Sequence, residues 1–264
     1  MNTPAPGLFS LIAASGLVLV NAALSLAMTL GMARSLLVAA TRMVVQLLLV
    51  GLVLKSVFAS DSLLLIGIVL VTMFGTASYE VLSRQEHRFV GLWRYGLGAG
   101  TTLIATLLVA AFALVTLRPS PWYEPQFLIP LVGIVLGSVM NGVSISLNAF
   151  SIGLMRERTA IEAQLALGAS RYVALKPLQR SALRSGLIPI VNQMSAAGII
   201  TLPGLMTGQI LAGLPPLAAA RYQILILLLL AGATGLGAVA TTTLAVWRAT
   251  DDRDRLRLDR LDAG

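Results

Sequence analysis

The sequence predicts an all-α integral membrane protein of about seven transmembrane helices, and three observations carry that prediction. Hydrophobic residues fill 57% of the 264 positions and charged residues only 11%, with a mean hydropathy of +0.87. An ordinary soluble domain carries about 25% charged residues, so this chain has too few to cover a water-facing surface. The apolar residues gather into runs close to the ~20 residues that a helix needs to cross the hydrocarbon core. The 19 basic residues, which outnumber the 11 acidic ones for a net charge of +8, sit in a few loops between those runs. They form no basic stripe interleaved with aromatics, which sets nucleic acid aside. No period-2 alternation runs through the apolar segments, which argues against a β-barrel.

The first run, residues 8–30, is read as a retained span. It is longer than a signal-peptide core, and residues 1–7 carry no side-chain charge to serve as a basic leader. Further runs follow at 36–57, 62–79, 95–117, 126–150, 186–212 and 222–247. If seven spans alternate from an external N-terminus, the cytoplasm receives Arg34; Arg84, Arg88 and Arg94; Arg156, Arg158, Arg171, Lys176, Arg180 and Arg184; and the five arginines of the tail. The outside keeps Lys55, Arg118 and Arg221. Basic residues favour the cytoplasmic side, so the N-terminus is expected outside and the C-terminus inside. The external loop 118–125 has three prolines that stop helix propagation, and its Trp122 and Tyr123 suit the membrane interface. Residues 1–247 thus read as one transmembrane domain. Residues 248–264, alternating Asp and Arg, read as a charged cytoplasmic tail able to form a short solvated helix.

Several chemistries are excluded early. There is no cysteine, hence no disulfide or thiolate metal site. The one histidine, His87, lies among Arg84, Glu86 and Arg88 and reads as a solvated loop residue, since nothing supplies further ligands. A phosphate-binding P-loop needs G-x4-G-K-[ST], and neither Lys55 nor Lys176 lies in one. No paired carboxylates or nucleophile–base set marks an enzyme.

The longest cytoplasmic stretch is 156–185. Good helix formers run from Thr159 to Leu167, with Ile161, Leu165 and Gly168 near one face. Gly168 is placed to end the helix, and Lys176–Pro177 breaks the line before the next one. From spacing alone this is a short amphipathic helix beneath the membrane, followed by a turn.

Glu162-Ala163-Gln164, three residues, then Gly168 resembles the EAA-x3-G loop of ABC-transporter permeases, with Gln at the third position and no downstream Ile-x-Leu-Pro in register. Residues 192–216, NQMSAAGIITLPGLMTGQILAGLPP, followed by Tyr222-Gln223-Ile224, are more specific. They resemble the FetB (YbbM) family, permease subunits of a bacterial ABC system linked to iron export. The likeness covers most of the chain and is densest over about 130–225. Plant relatives are linked to aluminium tolerance and nucleotide-sugar transport, so it indicates the machine better than the cargo.

The resemblance implies a permease of the bacterial cytoplasmic membrane that is not itself an enzyme. Loop 157–175 would hold a coupling helix between helices 5 and 6, docking on a cytosolic ATPase through Glu162, Ala163, Leu167, Gly168, Ala169 and Ser170. It also implies a homodimer with two ATPase subunits. This chain would bind no cofactor, and the partner would hold ATP and Mg.

Polar groups within spans are costly in lipid, so each is a candidate for the transport path. Arg42 and Gln46 lie one turn apart in the second span, where Arg42 either snorkels to the headgroups or faces the interior. Asn141, Ser144 and Asn148 form a stripe that either lines a cavity or bonds a neighbouring helix. In the sixth span Asn192, Gln193 and Met194 come early, Pro203-Gly204 interrupts the middle, and Met206, Thr207 and Gln209 follow. Proline deprives the Ile199 carbonyl of its helical partner, and such breaks either form substrate sites or are plain kinks. The methionines either pass a soft metal or simply pack. No span holds a carboxylate or histidine cluster for tight iron binding, so the metal ligands stay unassigned. The reading from a different class, a gradient-driven transporter without an ATPase, would need an acidic or histidine relay in the spans, which are nearly free of carboxylates.

Overall fold

The computed structural model describes residues 7–59, 62–91 and 93–262. Its contacts divide the chain into two units, one ending at Ser62 and the other beginning at Leu63. The first holds two apolar helices, α1 (Leu8–Ala27) and α2 (Ala33–Phe58), joined by a turn in which Gly31 takes a positive φ. Nearly every side chain of α2 is exposed, as suits a helix whose surroundings are lipid or other helices rather than its own core.

The second unit begins with α3 (Leu63–Ser83) and a two-residue strand β1 (Arg88–Phe89). A turn of helix, α4 (Trp93–Tyr95), then passes through a π-helical turn, Gly96–Gly100, into α5 (Thr101–Leu117). Within the wide turn Gly98 lets the chain pass close to α3, since a Cβ there would press on Val81 Cγ1. The Leu97 carbonyl in this turn accepts from Thr101 Oγ1 at 2.6 Å and from Thr241 Oγ1. After the proline-rich loop come the long α6 (Pro125–Arg156), the short α7 (Arg158–Ala166), α8 (Arg171–Ala174), α9 (Lys176–Ala196) and α10 (Gly204–Leu211). The last helix, α11 (Pro216–Ala249), leads to a strand, β2 (Leu261–Asp262), antiparallel to β1.

Six helices among the described residues are long and apolar enough to cross a membrane: Phe9–Ala27, Ala33–Phe58, Leu63–Ser83, Gly96–Leu117, Pro125–Arg156 and Pro216–Ala249. The segment expected as one further span over 186–212 is not one helix. It is divided between α9, which begins ten residues earlier, and α10. Between them residues 197–203 leave the helix, with Gly198 at φ +87° and the Gly198 N–H donating to the Thr201 carbonyl at 2.9 Å. The expected interruption at Pro203 therefore starts sooner. Pro203 does not deprive a helical Ile199 carbonyl of its donor. It stands at the N-cap of α10 with extended backbone, and its own carbonyl accepts from the Thr207 N–H at 3.0 Å.

Two apolar cores hold the second unit. One joins α5, α6, α9 and α11 around Val135, Val139, Val143, Ile226, Leu230 and Ala233. The other gathers, at one end of the bundle, Phe89, Leu97, Phe150, Leu154, Ile161, Leu175, Leu178, Val246 and Leu261. The basic segments 84–90, 156–176 and 248–260 therefore meet at that end, the arrangement expected of loops on one side of a membrane. Trp93 and Trp247 pack there with ring centroids 5.2 Å apart, and the Arg248 guanidinium lies 5.6 Å from the Trp93 ring.

Two sequence expectations fail at this end. The tail is not a helix: it forms a tight turn over 251–255, a 3-10 turn at Leu258–Arg260 and the strand β2, which buries Leu261. His87 is not freely solvated either. It is half-buried beside Gln85, Phe89 and Leu147, with Nδ1 out of reach of water.

Arg257 donates from Nε and Nη2 to the two carboxylate oxygens of Asp259, each at 2.8 Å, and this pairing lowers the Asp259 carboxyl from 3.8 to about 2. A depressed carboxyl stabilises the folded tail above its ordinary range and loses that contribution as pH falls through about 2. A carbon-detected titration of Asp259 should show the low midpoint in the intact chain, and Arg257→Gln should return it toward 3.8.

Candidate functional site: a polar cavity and an exposed loop

Two regions can do chemistry or mechanics. The first is a cavity of about 270 Å³ between α6, α9 and α11. Its floor is glycine-rich because the helices approach closely. A Cβ on Gly142 would strike Thr234 Cγ2, and one on Gly186 would strike Ser146 Oγ and come within 2.6 Å of the Gly142 carbonyl oxygen. Its polar groups are Ser138, Asn141, Gln193 and Thr234, with the hydroxyls of Ser138 and Thr234 2.9 Å apart. Pro189, also in the wall, provides no N–H to the Ser185 carbonyl one turn back. The polar part of the lining is thus neutral hydroxyls and amides, set among the apolar side chains of Ile134, Ile190 and Leu230. Among the described residues no three His, Asp or Glu side chains come together.

Of the predicted path residues, the cavity takes Asn141 and Gln193. The Asn141–Ser144–Asn148 stretch lies against the residues that follow α3. Asn141 Oδ1 accepts from Arg84 Nη1 at 3.0 Å, Asn148 Oδ1 from the Glu86 N–H at 2.9 Å, and the Ser144 carbonyl from Gln85 Nε2 at 3.3 Å. Glu80 also reaches Arg84, 3.6 Å away. Asn192 and Met194 are exposed on α9; Met206 and Gln209 are half-buried on α10, where Gln209 Oε1 lacks a hydrogen-bond partner. Arg42 and Gln46 are exposed on α2 in the first unit.

Sequence reasoning missed Ser138, Thr234 and the glycines. Gly133 and Gly137 stand at a small-xxx-small spacing, but the close approaches of the cavity fall at Gly142 and Gly186, which that spacing does not mark.

The second region is the stretch from α7 to the start of α9. Ile161 is buried in the lower core and Leu165 packs against it, so α7 is anchored along one side. Its other side carries Glu162 and Ala163, both exposed, with Glu162 accepting from Arg158 Nε at 3.0 Å. Leu167 ends the helix and is 88% exposed. Gly168 follows at φ +91°, a left-handed conformation that costs a residue with a Cβ roughly 1 kcal/mol or more. Ala169 turns inward, Ser170 stands just before α8 with extended backbone, and Tyr172 and Val173 point outward. A rigid arm thus presents an apolar tip, Leu167, Tyr172 and Val173, beyond the core that holds it.

A profile of the uncharacterised protein family UPF0014 matches residues 8–249. Among relatives, the chain is 38% identical over 218 residues to the UPF0014 membrane protein slr1647 of Synechocystis, covering 81% of this chain and 82% of that one. It is 31% identical to the UPF0014 membrane protein STAR2 of Oryza sativa, covering 92% and 83%. It is 28% identical to a protein of Escherichia coli named "Probable iron export permease protein FetB", covering 83% of each. No solved structure matches the chain. With apolar helices of spanning length, a profile matched across nearly all of them and membrane-protein relatives of similar extent, this chain belongs to the UPF0014 family of membrane proteins.

Proposed function

We propose that this chain is the membrane-spanning permease subunit of an ATP-driven ABC exporter in the bacterial cytoplasmic membrane, with a metal ion, iron first, as cargo. A separate cytosolic subunit supplies ATP hydrolysis and holds ATP and Mg, and two copies of this chain pair with two such subunits. The N-terminus is outside and the C-terminus inside, and α9 with α10 forms a seventh, broken span. The observation that carries the reading is the α7 arm: an anchored helix whose apolar tip, Leu167, Gly168, Tyr172 and Val173, faces away from its own core at the end where the basic loops collect. Such a tip gains by burial in a partner's groove. Iron follows from the name of the Escherichia coli relative, and a cavity with a few neutral oxygen donors and no carboxylate suits brief passage of a cation rather than retention.

Closure of the ATPase dimer moves the arm as a rigid lever, and the closely packed α6, α9 and α11 transmit that movement to the cavity. The test uses inverted membrane vesicles containing this chain and its ATPase. ATP should drive ferrous iron into them, and a proton gradient without ATP should not. Uptake driven by the gradient alone would instead support a secondary transporter.

A further inference from the structure

The family profile ends at Ala249, yet residues 250–262 are tied into the molecule at three places. At the first, Arg171 Nε at the start of α8 lies 2.7 Å from Asp254 Oδ1, as a charge contact rather than an aligned hydrogen bond, and Arg171 Nη1 donates to Thr250 Oγ1 at 3.5 Å. The Arg171 side chain is only 16% exposed there, so the contact is better shielded than an ordinary surface pair. At the second, Arg260 Nη1 donates to the Arg248 and Thr250 carbonyls at 3.0 and 3.1 Å, capping the C-terminal end of α11. At the third, the Val90 N–H donates to the Arg260 carbonyl at 2.8 Å, and Leu261 pairs with Phe89 inside the core that also anchors Ile161.

Asp254, which reaches Arg171, has its backbone held at φ +52° in a tight turn. Asp251 Oδ1 accepts from the Arg253 and Arg255 N–H groups at 2.9 Å each, and the Asp251 N–H donates to the Arg255 carbonyl at 3.0 Å. A left-handed aspartate is a local cost that the surrounding bonds must hold in place.

We infer that segment 250–262 is a strap that fixes the posture of the 167–175 tip, with Asp254 as a positioning residue acting through Arg171. The exposed tip residues Leu167, Tyr172 and Val173 stand between small apolar anchors, Leu165, Ala169 and Ala174, with Gly168 at a positive φ among them. Arg171 is the side chain in this stretch that makes polar ties to the tail, through Asp254 and Thr250. The strap joins that point to the end of α11 and to β1, so the arm, the α3–α4 connection and α11 move together. This inference rests on the arm being the ATPase contact, but the posture itself can be measured without any partner.

The experiment is hydrogen–deuterium exchange on the full chain in detergent, comparing wild type, Asp254→Ala and the double swap Arg171→Asp with Asp254→Arg. Asp254→Ala should speed exchange of the 167–175 amides about three- to fivefold, leave the α6 amides unchanged and weaken capture of the ATPase by a similar factor. The double swap should restore both. Unchanged exchange at 167–175, an equal rise throughout α6, or no recovery in the double swap would each overturn the strap. If wild type captures no ATPase at all, the functional reading fails, and the exchange data still decide the strap.

Discussion

Gly186→Leu should abolish recovery of folded, monodisperse protein. α6 and α9 cross with almost no space between them. A single Cβ on Gly186 would overlap Ser146 Oγ and lie 2.6 Å from the Gly142 carbonyl oxygen, which is backbone and cannot rotate away. Over-packing a helix contact costs about 1–3 kcal/mol when side chains can yield, and here a main-chain atom must shift. Gly186→Ala should therefore lower the melting temperature by several degrees, and the leucine variant should not assemble. Gly232, on the neighbouring α11, gives the contrast: a Cβ there meets nothing within 4 Å, so Gly232→Ala should be neutral or mildly stabilising. Detergent-solubilised thermal melts followed by size-exclusion chromatography would rank the variants. A Gly186→Leu protein as stable as wild type would mean that the α6–α9 contact is not made as described.

Gly168→Trp should abolish ATP-driven transport while leaving the chain folded in the membrane. A Cβ at Gly168 has open space around it and lies between the exposed Leu167 and Tyr172, so the tryptophan side chain extends outward rather than into the bundle. It obstructs whatever receives the tip. The residue also holds φ +91°, which any L side chain strains. Gly168→Ala separates the two effects, introducing the strain without the bulk, and should lose only a minor part of the activity. Transport falling more than tenfold in the tryptophan variant, with a melting temperature no lower than that of Gly168→Ala, places the defect at the partner surface.

The legible part of this fold was the part written in long apolar runs. Six such runs became helices of spanning length because hydropathy over about 20 residues is a strong signal. The arm was legible as well, since Ile161 and Leu165 share a helical face and Gly168 stops the helix where a positive φ is needed. The sixth run was harder. Residues 197–203 are as apolar as a span, with Ile199 92% exposed, and only the backbone shows that they leave the helix at Gly198 rather than at Pro203. The tail misled because β1 and β2 are two residues each, too short for any period, and because Asp–Arg alternation also reads as a solvated helix. Asn148 and Ser138 show the limit for the site. Both are polar residues in an apolar helix, yet one holds the loop after α3 and the other faces the cavity, a difference set by which neighbour each meets.

The most direct measurement is capture of the cytosolic ATPase by the purified chain, wild type beside Gly168→Trp, under conditions in which both are folded. The ATPase should co-purify with wild type in equal number and be lost from the variant. Equal capture by both would contradict the assignment of the arm as the docking element, and capture by neither would contradict the ATP-driven permease itself.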